Sequence, residues 1–207
     1  MITRTFSLAL ITALLIGCGS IEPIPQDTFY RLTELSGEGS ARVSPWTEGS
    51  VVIKRVRASG IYKDRALAVL KEDGVSLVQS NYHYWNDSPE IMVQRRVFEH
   101  AVRSGIAPHV SLEMTEGADY LVSGRLLRFE KVDTGGVAIE LVLAVAPLGD
   151  NTGQPFERTL KFSDTTESAD MNEAVKKIAG GLDSLITQFL TAASGVLSAQ
   201  ETTLDMQ

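Results

Sequence analysis

Gly136–Pro147 reads GVAIELVLAVAP, and its two interleaved rows of side chains decide the class of fold. The odd positions Val137, Ile139, Leu141, Leu143 and Val145 are all apolar, while the even positions carry Ala138, Glu140, Val142 and Ala144. Successive strand residues point to opposite faces, so this is a strand with one face buried and the other partly covered. DTGG separates it from a second β-rich run, Ala118 to Lys131. Phe156 to Thr166 adds a further strand in which Phe156, Arg158, Leu160 and Phe162 alternate.

A helix follows these strands. From Asp170 to Leu197, the residues Met171, Val175, Ile178, Leu182, Leu185, Ile186, Phe189, Ala193 and Val196 recur at three- and four-residue spacing. Asp170 followed by Glu173 makes a start like a capping box. Gly180-Gly181 weakens the middle by roughly 1 kcal/mol per glycine and allows close packing or a kink there. A second helix opens upstream, with Ser88 as N-cap and Pro89 at the first helical position, where its missing N–H costs nothing. Val93, Val97, Phe98, Ala101 and Val102 form its apolar stripe, and Gly105 is placed to end it.

Working back towards the N-terminus, Ala66–Leu70 and Val75–Gln79 flank KEDG and read as a hairpin. Ser50–Ala58 is β-branched and reads as a strand, Leu35–Gly49 as a Gly/Ser/Pro-rich loop, and Phe29–Leu32 as the first strand. Gly37 and Gly39 are no dinucleotide fingerprint, because Arg42 stands where the third glycine should be and no helix follows. The order β, ββ, α, a run of strands, then α predicts one α/β domain over residues 28–197, a mixed sheet flanked by helices. The polar residues 198–207 read as a disordered tail.

The N-terminus reads differently. Arg4 is the only charge before Cys18, and Phe6 to Ile16 is almost wholly apolar. This is the layout of a secretory signal, too short for a bilayer span of ~20 residues. It ends Leu15-Ile16-Gly17-Cys18, which resembles the bacterial lipobox. Residues 1–17 then form the signal, cut between Gly17 and Cys18, and Cys18 carries the acyl chains (diacylglyceryl and an amide-linked fatty acid such as palmitate). One chain holds marginally and several hold durably. Gly19 in place of aspartate points to the outer membrane of a Gram-negative cell. Residues 18–27 make the lipidated tether, whose nine residues after the cysteine reach about 30 Å at most.

With Arg4 removed, 18 Lys/Arg face 26 Asp/Glu, a net charge of −8. That balance argues against nucleic acid or anionic headgroups as the main partner, since both reward basic patches. The chain has one cysteine, so an acylated Cys18 leaves no thiol for a disulfide, a metal site or catalysis. The three histidines show no metal spacing, and His100 on the first helix reads as solvated or half-buried. No H-E-x-x-H, CxxC, G-x-S-x-G or P-loop occurs. The reading is a binding or scaffolding component with no catalytic residue, metal or cofactor.

Tyr82-His83-Tyr84-Trp85 precedes the first helix. In a strand, Tyr82 and Tyr84 share one face and His83 and Trp85 the other. Trp85 is expected in the core, while Tyr82 and Tyr84 are open between core and partner patch, since aromatics dominate interface hot spots.

These features together resemble a family. A lipobox, the Tyr30–Leu32 strand, Val51-Val52-Ile53 with Val56, the IYKDR run Ile61–Arg65, and Ser80, Tyr82 and Trp85 before Pro89 look like the ABC-type transport auxiliary lipoproteins, including the paraquat-inducible protein C type. The chain departs where Ser59-Gly60 replaces leucine-proline, Lys63 replaces a leucine, and His83-Tyr84 alters the run before Trp85. The resemblance implies a three-layer domain like the amino-terminal part of TolB, held at the periplasmic face of the outer membrane. It implies as partners an inner-membrane ABC transporter and a mammalian-cell-entry-type protein moving lipids or other hydrophobic solutes, with self-association into a homo-oligomer left open. No cofactor and no catalytic residue carry over. The competing readings are an envelope lipoprotein that binds peptidoglycan or an assembly factor, a periplasmic hydrolase, and a domain that itself shelters lipid.

Overall fold

The computed structural model describes residues 25–35, 42–149, 153–165 and 170–204. The signal, Gly17, Cys18 and most of the tether lie outside them. The described strands in chain order are β1 (Thr28–Tyr30), β2 (Ser50–Ile53), β3 (Arg57–Ala58), β4 (Ala66–Leu70), β5 (Leu77–Trp85), β6 (His109–Ser111), β7 (Tyr120–Val132), β8 (Val137–Pro147) and β9 (Phe156–Asp164). Helix α1 (Pro89–Ser104) follows β5, and α2 (Met171–Leu204) follows β9.

β7 is the spine of a mixed sheet. β8 pairs antiparallel along one edge of it, and β9 pairs antiparallel beyond β8. Along its other edge β2, β3 and β4 lie one after another, all parallel to it. The run read as one strand, Ser50–Ala58, is therefore two short strands parted at Lys54–Val56. Each then carries its own flank: β6 lies outside β2, and β5 then β1 lie outside β4. The three-residue β6 carried no alternation to betray it.

The odd residues of β8 line the core, Val137 to Val145 all at 1% exposure or less. α2 covers them with Ala174, Ile178, Leu182, Leu185, Ile186 and Phe189. This helix runs to Leu204, past Leu197 and into the stretch expected to be a tail, and is ~50 Å long at 1.5 Å per residue. Among the described residues no helix is long and apolar enough to cross a membrane.

α1 turns Val93, Val97 and Ala101 to the core, but Val102, one step of about 100° further round, is exposed. Ser88 holds the N-cap position with extended backbone but its hydroxyl makes no capping bond. The backbone N–H groups of Ile91 and Met92 bond to its carbonyl instead. Gly105 closes the helix at φ 73°, a left-handed conformation that favours glycine. α1 and α2 bond to each other and both pack on the sheet, so they lie side by side on one face. Neither α1 nor α2 covers the other face.

The loop before β2 is anchored by Trp46, at 2% exposure. Its indole N–H donates to Ser194 Oγ at 2.7 Å, and that hydroxyl donates to Ser44 O at 3.1 Å, tying the loop to α2.

Candidate docking site

The YHYW stretch closes β5. Trp85 lies in the core at 1% exposure, its ring 5.2 Å from Phe129. Tyr82 is 41% exposed and has φ 62°, a strained value for a side chain of this size and the one positive φ at a non-glycine among the described residues. The register explains it: Ala66 pairs with Tyr84, but Ala68 pairs with Gln79. Extra residues of β5 are looped out between these two pairs, a bulge in which Tyr82 takes the left-handed corner. The bulge interrupts the simple alternation by which Tyr82 and Tyr84 were expected to share a face.

Tyr84 gains partners that lie far away in sequence. β1 pairs parallel with the end of β5, setting Phe29 beside Tyr84 and Tyr30 beside Trp85. The Phe29 and Tyr84 rings are 5.8 Å apart, and the Arg65 guanidinium lies 5.4 Å over the Phe29 ring. Phe29 is 55% exposed. Trp85 faces the core beneath the helices, so Phe29 and Tyr84, one residue out of phase, face the helix-free side. On the core side the Tyr30 hydroxyl lies 2.9 Å from His83 Nδ1. Burial, with a smaller push from the Asp170 carboxylate, raises the Tyr30 pKa and keeps it a phenol. β1 is short, and no described strand pairs its outer edge.

The IYKDR run has a clear structural task. It crosses the gap between β3 and β4, where the Tyr62 hydroxyl donates to the buried Glu130 carboxylate. Arg128 holds the same carboxylate, with Nε 3.0 Å from Oε1. Burial first, and then the bond to Glu130, raises the Tyr62 pKa. Arg65 fixes the end of β5: its Nε donates to Trp85 O at 3.0 Å, and Trp85 N donates to Arg65 O.

His100 is fully buried, neither solvated nor half-exposed as its helix position had implied. Its Nε2 lies 3.0 Å from Asp183 Oδ1, and its Nδ1 lies 3.5 Å from Thr187 Oγ1. The same Asp183 oxygen lies 2.7 Å from Arg96 Nε, and Arg96 Nη2 donates to Thr33 O. A threonine, a histidine and an aspartate in line invite comparison with a nucleophile relay. With its ring sealed from solvent, however, His100 serves to pin α1, α2 and the 31–35 segment together. Among the described residues no cluster of His, Cys, Asp and Glu is placed to hold a metal.

Arg96, Asp183, Phe29 and Arg65 were not legible as a group. Their contacts join segments 20 to 87 residues apart, and none carries a local spacing signal.

Comparison with known proteins adds to this geometry. The family model described as ABC-type transport auxiliary lipoprotein component matches residues 30–189. A crystal structure of a DUF330-family protein from Xanthomonas campestris is similar at TM-score 0.68 and 18% identity, covering 85% of this chain and 99% of that one. A second crystal structure, of a protein described as uncharacterized, is similar at TM-score 0.64 and 13% identity, covering 79% and 96%. These likenesses show a shared fold. No curated protein matches the chain in sequence.

Proposed function

Because the chain belongs to the family of ABC-type transport auxiliary lipoprotein components, we propose that it is a non-catalytic, lipid-anchored docking subunit of an envelope transport system of the mammalian-cell-entry type. Cys18 anchors it at the periplasmic face of the outer membrane. The domain receives the periplasmic part of a conduit fed by an inner-membrane ABC transporter and carrying lipid or another hydrophobic solute. The family match across residues 30–189 carries this reading.

The edge formed by β1 and the end of β5 is the surface we assign to the partner. It combines an exposed aromatic residue in a strained conformation, Tyr82, with a Phe29–Tyr84 pair and an open strand edge. Exposed aromatics are favoured interface anchors, backbone strain concentrates at binding sites, and an open edge accepts a further strand.

Affinity purification of the tagged chain from mildly crosslinked membranes tests the reading. A permease, an ATPase and a cell-entry-domain protein are expected to come with it, in lower yield from Tyr82→Ala and Tyr84→Ala chains. Recovery of no transporter component would refute the assignment. Cys18→Ser is expected to remove the chain from the outer-membrane fraction.

A further inference from the structure

On the helix-free face, between β2 and β9, lies a shallow groove of about 480 Å³. Lys54, Arg55, Arg57 and Arg125 line it together with Leu121 and Val142. Arg57 stands directly opposite Arg125 in the β3–β7 pairing. Like charges at paired positions repel and destabilise a sheet. Among the described residues Glu157 alone answers these four cations, 3.7 Å from Arg125. Lys54, Arg55 and Arg57 make no ion pair with any described residue. A protein of net charge −7 thus gathers positive charge on one face and leaves it unneutralised.

We propose that this face lies against an anionic phospholipid surface, with the groove cations on lipid phosphates. Two observations favour a bilayer over an acidic protein. The groove mixes cations with the apolar Leu121, a pairing that suits headgroups above acyl chains. The chain also enters the domain at Pro25, just ahead of β1, and the seven steps from Cys18 span at most about 25 Å. The last point rests on the Cys18 anchor proposed above; the groove and its charges do not. The acyl chains then hold the domain close, and the cations orient it with the helix-free face to the membrane and α1 and α2 towards the periplasm.

The test uses the full chain, purified in detergent and reconstituted by detergent removal into vesicles of phosphatidylcholine alone or with phosphatidylglycerol. Arginine modification by phenylglyoxal, read by mass spectrometry, reports which guanidinium groups are covered. Arg57 and Arg125 are expected to react several-fold more slowly in phosphatidylglycerol vesicles. A single cation at an anionic surface corresponds to roughly fivefold in partition. High salt should restore their reactivity, and Arg95 on α1 should not change. Equal reactivity in the two kinds of vesicle would overturn the proposal. So would protection in native membranes with none in phosphatidylglycerol vesicles, which would put an acidic protein on the face. Flotation separates the anchor from the face. A chain that fails to float with phosphatidylcholine vesicles refutes the anchor. The face is then judged by flotation with phosphatidylglycerol vesicles, which Arg57→Gln/Arg125→Gln should weaken.

Discussion

Gly180 and Gly181 are neighbours in the middle of α2, and replacing each by alanine is expected to have different effects. A methyl group built on Gly180 meets nothing within 4 Å, because that position faces solvent. One built on Gly181 falls 2.3 Å from Phe162 Cδ1 and 2.8 Å from its Cγ, well inside contact distance. Both substitutions gain helix propensity, about 1 kcal/mol each. Gly180→Ala keeps that gain, and for a domain of this size ~1 kcal/mol raises Tm by about 2–4 °C. Gly181→Ala must displace the Phe162 ring from the backbone of α2, at an overpacking cost of about 1–3 kcal/mol. The net effect runs from neutral to ~2 kcal/mol destabilising, leaving the two variants about 1–3 kcal/mol apart. Urea unfolding followed by circular dichroism measures the gap, with unchanged m confirming an effect on stability alone. The double variant Gly181→Ala/Phe162→Leu should recover part of the loss, a coupling of at least about 0.5 kcal/mol. Equal stabilisation by the two single alanines would refute the argument that β9 seats Phe162 on Gly181.

Asp183→Ala should lower stability by about 1–3 kcal/mol, since it strips the buried Arg96 guanidinium of its nearest carboxylate while Glu99 stays 3.2 Å from its Nη1; thermal unfolding measures it. Tyr82→Gly should raise the urea midpoint, because it relieves left-handed strain of about 1–2 kcal/mol less glycine's own entropic cost. The same change should reduce partner recovery, and a drop in stability would contradict the strain assignment. Asp73 accepts bonds from Ser76 Oγ, Ser76 N and Val75 N in the β4–β5 turn, which hold its pKa down at about 2. A carboxyl depressed on folding stabilises above its ordinary pKa and loses that contribution as pH falls through the folded value. Turn protection, read by hydrogen exchange at Val75 and Ser76, should therefore hold near neutrality and fade as pH drops from about 4 towards 2. Asp73→Asn should remove that pH dependence.

The elements with dense periodicity were legible. β8 and α2 repeat their apolar residues often enough for period to reveal both type and buried face, and Ser88-Pro89 with Gly105 marked α1 to the residue. Trp85 was expected in the core and lies there. Three places escaped. β6 is too short to show a period. Ser50–Ala58 divides because successive pieces of one β7 edge are filled by different segments, which no local spacing encodes. His100 was assigned by its own helix's neighbours, but its environment is made by Asp183 and Thr187 on α2. The aromatic stretch was flagged by composition, while its geometry depended on a bulge against β4 and on pairing with β1.

By itself the sequence determined the strongly periodic elements, the buried faces of β8 and α2, and the family, because period, caps and short motifs are local properties carried by neighbouring residues. Only the tertiary structure decided which side chains meet across the fold. The Arg96–Asp183–His100 pin depends on how α1 and α2 dock against each other. The Phe29–Tyr84 pair and the Arg57–Arg125 pair depend on strand register. Register is set by the packing of the whole sheet, and a shift of one residue would turn those strand side chains to the opposite face.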